Sequence, residues 1–142
     1  PENSHVVPAL IKKFHDAKSN NQSDVELWGS GEPRREFIYV EDLVDACTFI
    51  MNYPNEKYDE NINLMNSHIN VGTGYDMKIS ELAMIISEIV GYTGNIQYNT
   101  NMPDGTKQKL LDVTLINNMG WRAKTSIKDG LKKTYQNYIE TI

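Results

Sequence analysis

The sequence predicts a small mixed α/β lobe in a single domain. Three observations lead there. The chain has 142 residues, 39% of them hydrophobic and 23% charged, which suits one modest core and not a disordered tail. Strand-like and helix-like segments intermingle without strict βαβ alternation, so a complete doubly wound domain is not expected. The run from Trp28 to Asp42 sets an aromatic strand end, a Gly-x-Gly turn, paired arginines and an apolar stretch in close succession.

The elements follow in order. Val7, Leu10, Ile11, Phe14 and Ala17 recur at helical spacing, and Pro8 suits a first helical turn. Ser19 to Ser23 is a polar loop. Val25, Leu27 and Trp28 mark a short strand, and Phe37-Ile38-Tyr39-Val40 another. Glu41 and Asp42 favour a helix start, with Leu43, Ala46, Cys47 and Ile50 as its apolar stripe. Residues 52–67 are polar, contain Pro54 and read as a surface insertion. His68 to Val71 reads as a strand ending in Gly72-Thr73-Gly74. Ser80 is the expected cap of a helix bearing Leu82, Ile85, Ile86, Ile89 and Val90, closed by Gly91. Ile96 and Tyr98 alternate as an edge-like strand, and a loop follows from Asn99 to Gln108. Asp112 is the expected cap of a short helix that Gly120 ends. Ser126 with Asp129 opens the last helix as a capping box, with a stripe of Ile127, Leu131, Tyr135, Tyr138 and Ile142.

Charge and cysteine content narrow the function classes. The net charge of -5 argues against general binding to nucleic acid or anionic membranes. The single cysteine, Cys47, excludes an internal disulfide and fits a reducing, cytoplasmic compartment. No apolar run approaches the ~20 residues of a membrane span. The chain opens on Pro1 rather than Met and has no signal-peptide pattern, so it reads as a piece of a longer protein.

Each candidate site residue has a plainer competing explanation. Gly72-Thr73-Gly74 follows a strand and precedes a helix, as a dinucleotide loop does. The third glycine position of that fingerprint is Met77, so a plain turn is favoured. His5 precedes a helix start, where an imidazole can act as acid or base, against the alternative of an exposed histidine near a terminus. His15 and His68 have no partner at metal spacing, and no metal site is expected. Trp28 either stacks on a base or anchors the core. Arg34 and Arg35 suit phosphate, but neighbours on a strand face opposite ways, so one of the two is expected to do this. Tyr53 and Lys57 have Tyr-x-x-x-Lys spacing, yet Pro54 between them excludes a shared helical face.

Several segments together are distinctive. They are Ser4-His5-Val6-Val7-Pro8-Ala9-Leu10, the run from Trp28 to Asp42, His68 to Gly74, and Pro103-Asp104-Gly105-Thr106 leading to Lys109-Leu110-Leu111-Asp112. In these the chain resembles the C-terminal portion of the GDP-L-fucose synthase family, within the extended short-chain dehydrogenases/reductases. The arginine-turn run is shared with many nucleotide-sugar epimerases and dehydratases, whereas the first and last segments are more specific. The resemblance implies a C-terminal substrate-binding region that lacks the Rossmann glycine-loop half. It implies an enzyme that epimerises C3 and C5 of a GDP-keto-sugar and reduces C4 with NADPH. His5 matches the catalytic proton donor, lying close to the cofactor. Lys13, Trp28, Arg35 and Asp104 match substrate-binding positions, and Lys109 is expected near Asp104 as a further substrate-binding residue. Lys13 stands where relatives often have Arg. The cofactor is NADP(H), with its main binding site upstream, together with the Tyr-x-x-x-Lys pair, a serine and a cysteine that this chain lacks. A homodimer is implied for the full enzyme, and this chain alone is expected to be inactive. Some apolar stripes, above all that of Leu43 to Ile50, are expected to face the absent half. The rivals are another extended-family epimerase or dehydratase, and a non-catalytic nucleotide-sugar binding module.

Overall fold

The computed structural model describes residues 5–62 and 67–142. Ser4 and residues 63–66 of the polar segment lie outside them. The order is α1 (Val6–Ser19), β1 (Asp24–Trp28), β2 (Arg34–Glu36), α2 (Val40–Met51), α3 (Asn55–Asn61), β3 (Asp76–Lys78), α4 (Ile79–Val90), β4 (Asn95–Asn99), β5 (Gln108–Lys109), α5 (Thr114–Met119) and α6 (Ile127–Thr141). This is the mixed α/β class expected. One sheet is β1-β4 and the other β3-β2-β5. The chain forms two compact units. The first holds the described residues up to Arg35, Met77–Gln108 and Leu131–Ile142; the second holds Glu36–Asp76 and Lys109–Gly130.

The first unit is built on the α1 stripe. Leu10, Ile11, Phe14 and Ala17 are buried, as are Leu82, Ala83, Ile86 and Val90 of α4, and the two helices pack together. Phe14 is fully buried and meets Tyr92 at 5.5 Å between ring centroids. The Lys18 ammonium donates to the Val90 carbonyl at 2.8 Å, a cation at a helix C-terminus where the dipole favours it. Gly91 then ends α4 in the left-handed region, at φ 74°. β1 alternates, with Val25 and Leu27 buried and Asp24, Glu26 and Trp28 exposed. It pairs in parallel with β4, from Asp24 opposite Asn95 to Trp28 opposite Asn99. Tyr135 and Tyr138 of α6 gather around His15, whose Nδ1 lies 3.0 Å from the Tyr135 hydroxyl.

The second unit centres on Ala46, Val113, Ile116 and Trp121, with Ile38, Phe49, Ile50, Ile69 and Val71 packed against them. Asp42 is its one buried charged side chain among the described residues. Its carboxylate accepts from the backbone N–H groups of Lys124 (3.1 Å) and Thr125 (2.8 Å) and from the Thr125 hydroxyl (3.0 Å). Asp45, one turn on, accepts from the Trp121 indole at 2.9 Å and from Lys124, and these donors hold its carboxyl below the usual aspartate range.

Several local expectations are corrected. The strand expected at Phe37 to Val40 falls at Arg34–Glu36, and Val40 already opens α2. His68 to Val71 forms no ladder among the described residues; Ile69 and Val71 pack on the core, and the Asn70 amide donates to the Asp112 carbonyl. On α2 the stripe is open at Leu43 and Cys47, as expected of a face turned away from this chain's core, while Asp42 is buried beside Ala46, which the apolar pattern does not anticipate. The Asp42 bonds set the rotation of the helix, because three donors on the 124–125 segment require the carboxylate to face them. Ser80 does not cap α4. The helix starts at Ile79, Glu81 accepts the Lys78 N–H at 2.9 Å, and the Ser80 N–H goes to the Gly31 carbonyl. Asp112 accepts the Thr114 N–H at 2.9 Å, but Val113 holds the N-cap position of α5. The polar insertion contains the short helix α3. Pro54 is its N-cap and Tyr53 stays outside, its ring tilted against Phe49 at 5.4 Å between centroids, so Tyr53 and Lys57 share no helical face.

Replacing Phe14 by alanine should lower unfolding free energy by about 3–5 kcal/mol, the cost of an unrelaxed core cavity. Urea denaturation followed by far-UV dichroism measures this. A loss under about 1 kcal/mol would mean that the α1–α4 interface is not the core of its unit.

Candidate functional site

Alternation along β1 sends Trp28 to the solvent side, where 59% of it is exposed. It is therefore no core anchor. Residues after the carboxyl ends of parallel strands form the usual ligand crevice of such sheets, because the chain there leaves the ladder for loops. Here those residues are the Gly29-Ser30-Gly31 turn and the loop after Asn99. Gly29 and Gly31 hold φ of 79° and 76°, which side-chain-bearing residues rarely adopt. The two strand ends stay joined as the ladder stops: the Gly29 N–H donates to the Asn99 carbonyl at 3.0 Å.

The late loop folds back onto this turn. Asp104 receives the Ser30 N–H on one carboxylate oxygen at 2.8 Å and the Ser30 hydroxyl on the other at 2.6 Å. The hydroxyl first, then the backbone N–H, hold the Asp104 carboxyl below the usual aspartate range. A Cβ on residue 29 would collide with the Asp104 carboxylate. Arg35 donates from one guanidinium nitrogen to the Thr106 carbonyl at 2.6 Å and to the Arg34 carbonyl at 2.7 Å. The Arg34 N–H reaches the Lys107 carbonyl at 2.8 Å. Lys13, from α1, donates to the Glu26 carbonyl of β1 at 2.6 Å.

Lys13, Trp28, Arg35 and Asp104 all lie in the first unit: Asp104 and Arg35 bind the late loop to the segment after Trp28, and Lys13 bonds the Glu26 carbonyl two residues before it. His5 is the N-cap of α1, exposed, with no side-chain cap bond. Eight residues, about 12 Å of helix rise, separate it from Lys13. Lys109 is exposed and belongs to the second unit. There it lines an open cleft of about 430 Å³ with Glu36, Ile38, Val71, Gly72, Leu110 and Leu111.

The Gly72-Thr73-Gly74 turn does hold an anion, but the anion is a protein carboxylate. One Glu36 oxygen accepts the N–H groups of Thr73 (2.6 Å) and Gly74 (2.7 Å), and the other accepts the Leu111 N–H at 3.0 Å. A Cβ at residue 72 would strike that carboxylate, so the glycine is needed for the approach. The donors a pyrophosphate would need are occupied, and the plain-turn explanation fits. Sequence reasoning singled out neither Glu36 nor Ser30. Ser30 carried a weak signal, as the polar residue between two glycines; Glu36 carried none, since its partners lie 37, 38 and 75 positions away.

Among the described residues no group of three or more His, Cys, Asp or Glu side chains is placed to hold a metal ion. Nor is any helix there long and apolar enough to cross a membrane.

Residues 1–72 match the NAD dependent epimerase/dehydratase family, and the chain belongs to that family. It is 48% identical over 140 residues to a GDP-L-fucose synthase of Escherichia coli K12, covering 99% of this chain and 44% of that protein. It is 42% identical over 142 residues to GDP-L-fucose synthase 1 of Arabidopsis thaliana, covering 100% of this chain and 41% of that protein. Among solved structures, a Campylobacter jejuni GDP-mannoheptose C4 reductase with NADP bound aligns with a TM-score of 0.82 at 38% identity, over 96% of this chain and 45% of that one. The chain therefore spans well under half the length of these relatives.

Removing the Glu36 carboxylate as Glu36→Ala should cost roughly 2–3 kcal/mol, because N–H donors bound to a charged acceptor lose it together. Amide exchange at Thr73, Gly74 and Leu111 should accelerate in the same variant. Unchanged protection at those three amides would show that the carboxylate does not hold the turn.

Proposed function

We propose that this chain is the nucleotide-sugar-binding, C-terminal portion of an NADPH-dependent GDP-4-keto-6-deoxy-mannose 3,5-epimerase/4-reductase that makes GDP-L-fucose. One observation carries this reading: an exposed indole, a guanidinium and a carboxylate border a left-handed Gly-x-Gly turn at the carboxyl end of a parallel strand pair. Such a set offers a stacking face, a phosphate donor and a hydroxyl acceptor to one elongated ligand. The E. coli and Arabidopsis relatives supply the sugar and the reaction.

The roles follow from the chemistry of each group. Trp28 offers its ring to the ligand, and Arg35 gives charged N–H bonds to the diphosphate. Lys13 adds a point charge there without the fork of an arginine. Asp104 contacts the sugar nucleotide as an acceptor, and Lys109 is kept as a substrate-binding donor on the strength of the resemblance alone. His5 is the acid of the epimerisation. Protons beside a ketone are acidic enough for a base to remove, and inversion needs an acid positioned to return one on the opposite face. NADP(H), when bound by the full enzyme, would supply a hydride for C4. The residues described here do not fit its pyrophosphate, since Glu36 occupies the only Gly-x-Gly turn that follows the dinucleotide order. Its main binding site is read as belonging to a part of the enzyme outside this chain, with His5 close to it. The full enzyme is read as a cytoplasmic homodimer.

Titrating GDP-mannose and GDP-fucose into the chain, with UDP-glucose as control, tests the binding part. The Trp28 indole and Arg35 signals should shift selectively with the GDP sugars in NMR spectra, and Trp28→Ala or Arg35→Ala should weaken binding about tenfold or more. Equal response to UDP-glucose would point to another nucleotide-sugar enzyme, and no response to any of the three would defeat the reading. The chain alone should not oxidise NADPH; measurable hydride transfer would show that the catalytic set is complete here.

A further inference from the structure

We propose that Ser30 is a positioning residue: it clamps both oxygens of the Asp104 carboxylate and so fastens the loop of residues 100–107 beside Trp28 and Arg35. The inference rests on the nucleotide-sugar reading for its ligand, and on geometry alone for the clamp.

The hydroxyl geometry leaves little freedom. Ser30 Oγ accepts the Glu32 N–H at 3.1 Å. A serine hydroxyl has one proton, and with its oxygen already accepting, that proton is directed to Asp104 at 2.6 Å. The Ser30 N–H fixes the other carboxylate oxygen. Two bonds from one residue to two oxygens set the plane of the carboxylate as well as its position. Gly29 makes room for it, since any side chain at 29 would overlap the Asp104 oxygen.

The rest of the loop is anchored on either side of this point. The Met102 N–H returns to the Asn99 carbonyl at 3.1 Å, Arg35 holds the Thr106 carbonyl, and the Arg34 N–H holds the Lys107 carbonyl. Arg35 also passes Gly105 closely: a Cβ there would lie 3.0 Å from its terminal nitrogen. Asp104 is thus the apex contact of a loop whose ends are already fixed. Each of its oxygens keeps a lone pair, and the residue is exposed, so it can accept a ligand hydroxyl while Ser30 holds it. Ser30 touches no ligand in this scheme; it acts through Asp104.

The charged groups on the two segments are Glu32, Arg34, Arg35, Lys107 and Asp104 itself. The Ser30 donors favour the ionised form of Asp104, which lowers its pKa. The clamp is then intact above the ordinary aspartate range and lost as pH falls through the lowered value.

The test uses this chain with Ser30→Ala, Ser30→Thr and Asp104→Asn. First, the Asp104 side-chain carbon is titrated by NMR, and amide exchange is followed at Gly105, Thr106 and Lys107. The native chain should titrate below the ordinary aspartate range. Ser30→Ala should move the midpoint up and speed exchange in the loop, and Ser30→Thr should restore both. An Asp104 titration identical in native and Ser30→Ala chains would overturn the clamp, with or without a ligand. Second, GDP-mannose affinity is measured against pH. Ser30→Ala should bind roughly 3- to 10-fold more weakly, with the difference widening towards acid pH, and Ser30→Thr should bind normally. Undiminished affinity in a Ser30→Ala chain whose Asp104 has shifted would overturn the positioning role. If the native chain binds no GDP sugar, the nucleotide-sugar reading and the ligand role fail together, while the titration still decides the clamp.

Discussion

Glu36 is the point through which the second unit is tied. Its carboxylate collects N–H groups from Thr73, Gly74 and Leu111, so three stretches far apart in the chain meet at one side chain. Charged acceptors make stronger bonds than neutral ones, and backbone donors in a tight turn have few alternatives. The contacts also set where regular structure begins and ends. Glu36 closes β2, the backbone then leaves the ladder, and Val40 opens α2. Two residues further into that helix Asp42 repeats the device on Lys124 and Thr125.

The first unit uses the same physics at Asp104, where a carboxylate fills a glycine turn that has the look of a phosphate site. A Gly-x-Gly sequence states only that backbone N–H groups are exposed in a sharp turn. What they bind depends on which anion the fold brings to them. At residues 72–74 and at residues 29–31 that anion is an aspartate or glutamate of the same chain. The two cases differ in exposure. Thr73 and Gly74 are part-buried with their glutamate, which makes that turn structural, whereas Asp104 is exposed and keeps accepting capacity.

What the sequence showed and what it hid follow from the range of the forces involved. The α1 stripe, the left-handed glycines at 91 and 120 and the Ser126–Asp129 cap rest on neighbours within a few positions, and each was legible. The exposure of Leu43 and Cys47 on α2 agrees with a stripe expected to face away from this chain's core; the burial of Asp42 was hidden, because its three donors lie more than 80 positions away. The strand at Phe37 to Val40 was misplaced for a related reason: those residues have high β propensity, but their neighbour Glu36 directs the backbone elsewhere. At the site, the sequence left open whether Trp28 stacks on a ligand or anchors the core, and the β1 alternation seen in the structure turns it outward. The Ser30 contact to Asp104 spans 74 positions, so the polar residue between two glycines was the one local hint of it.

Gly29 carries two independent constraints, a left-handed backbone and the carboxylate lodged against its α-carbon. Their origins differ, so their histories differ too. Loss of Asp104 would lift the second and leave the first, which costs a side-chain-bearing residue of the order of 1–2 kcal/mol. Positions 29 and 104 therefore form an asymmetric pair under drift. Losing the aspartate leaves glycine still favoured at 29 by its backbone, whereas a side chain at 29 forces the Asp104 carboxylate, and with it the ligand contact proposed there, to move.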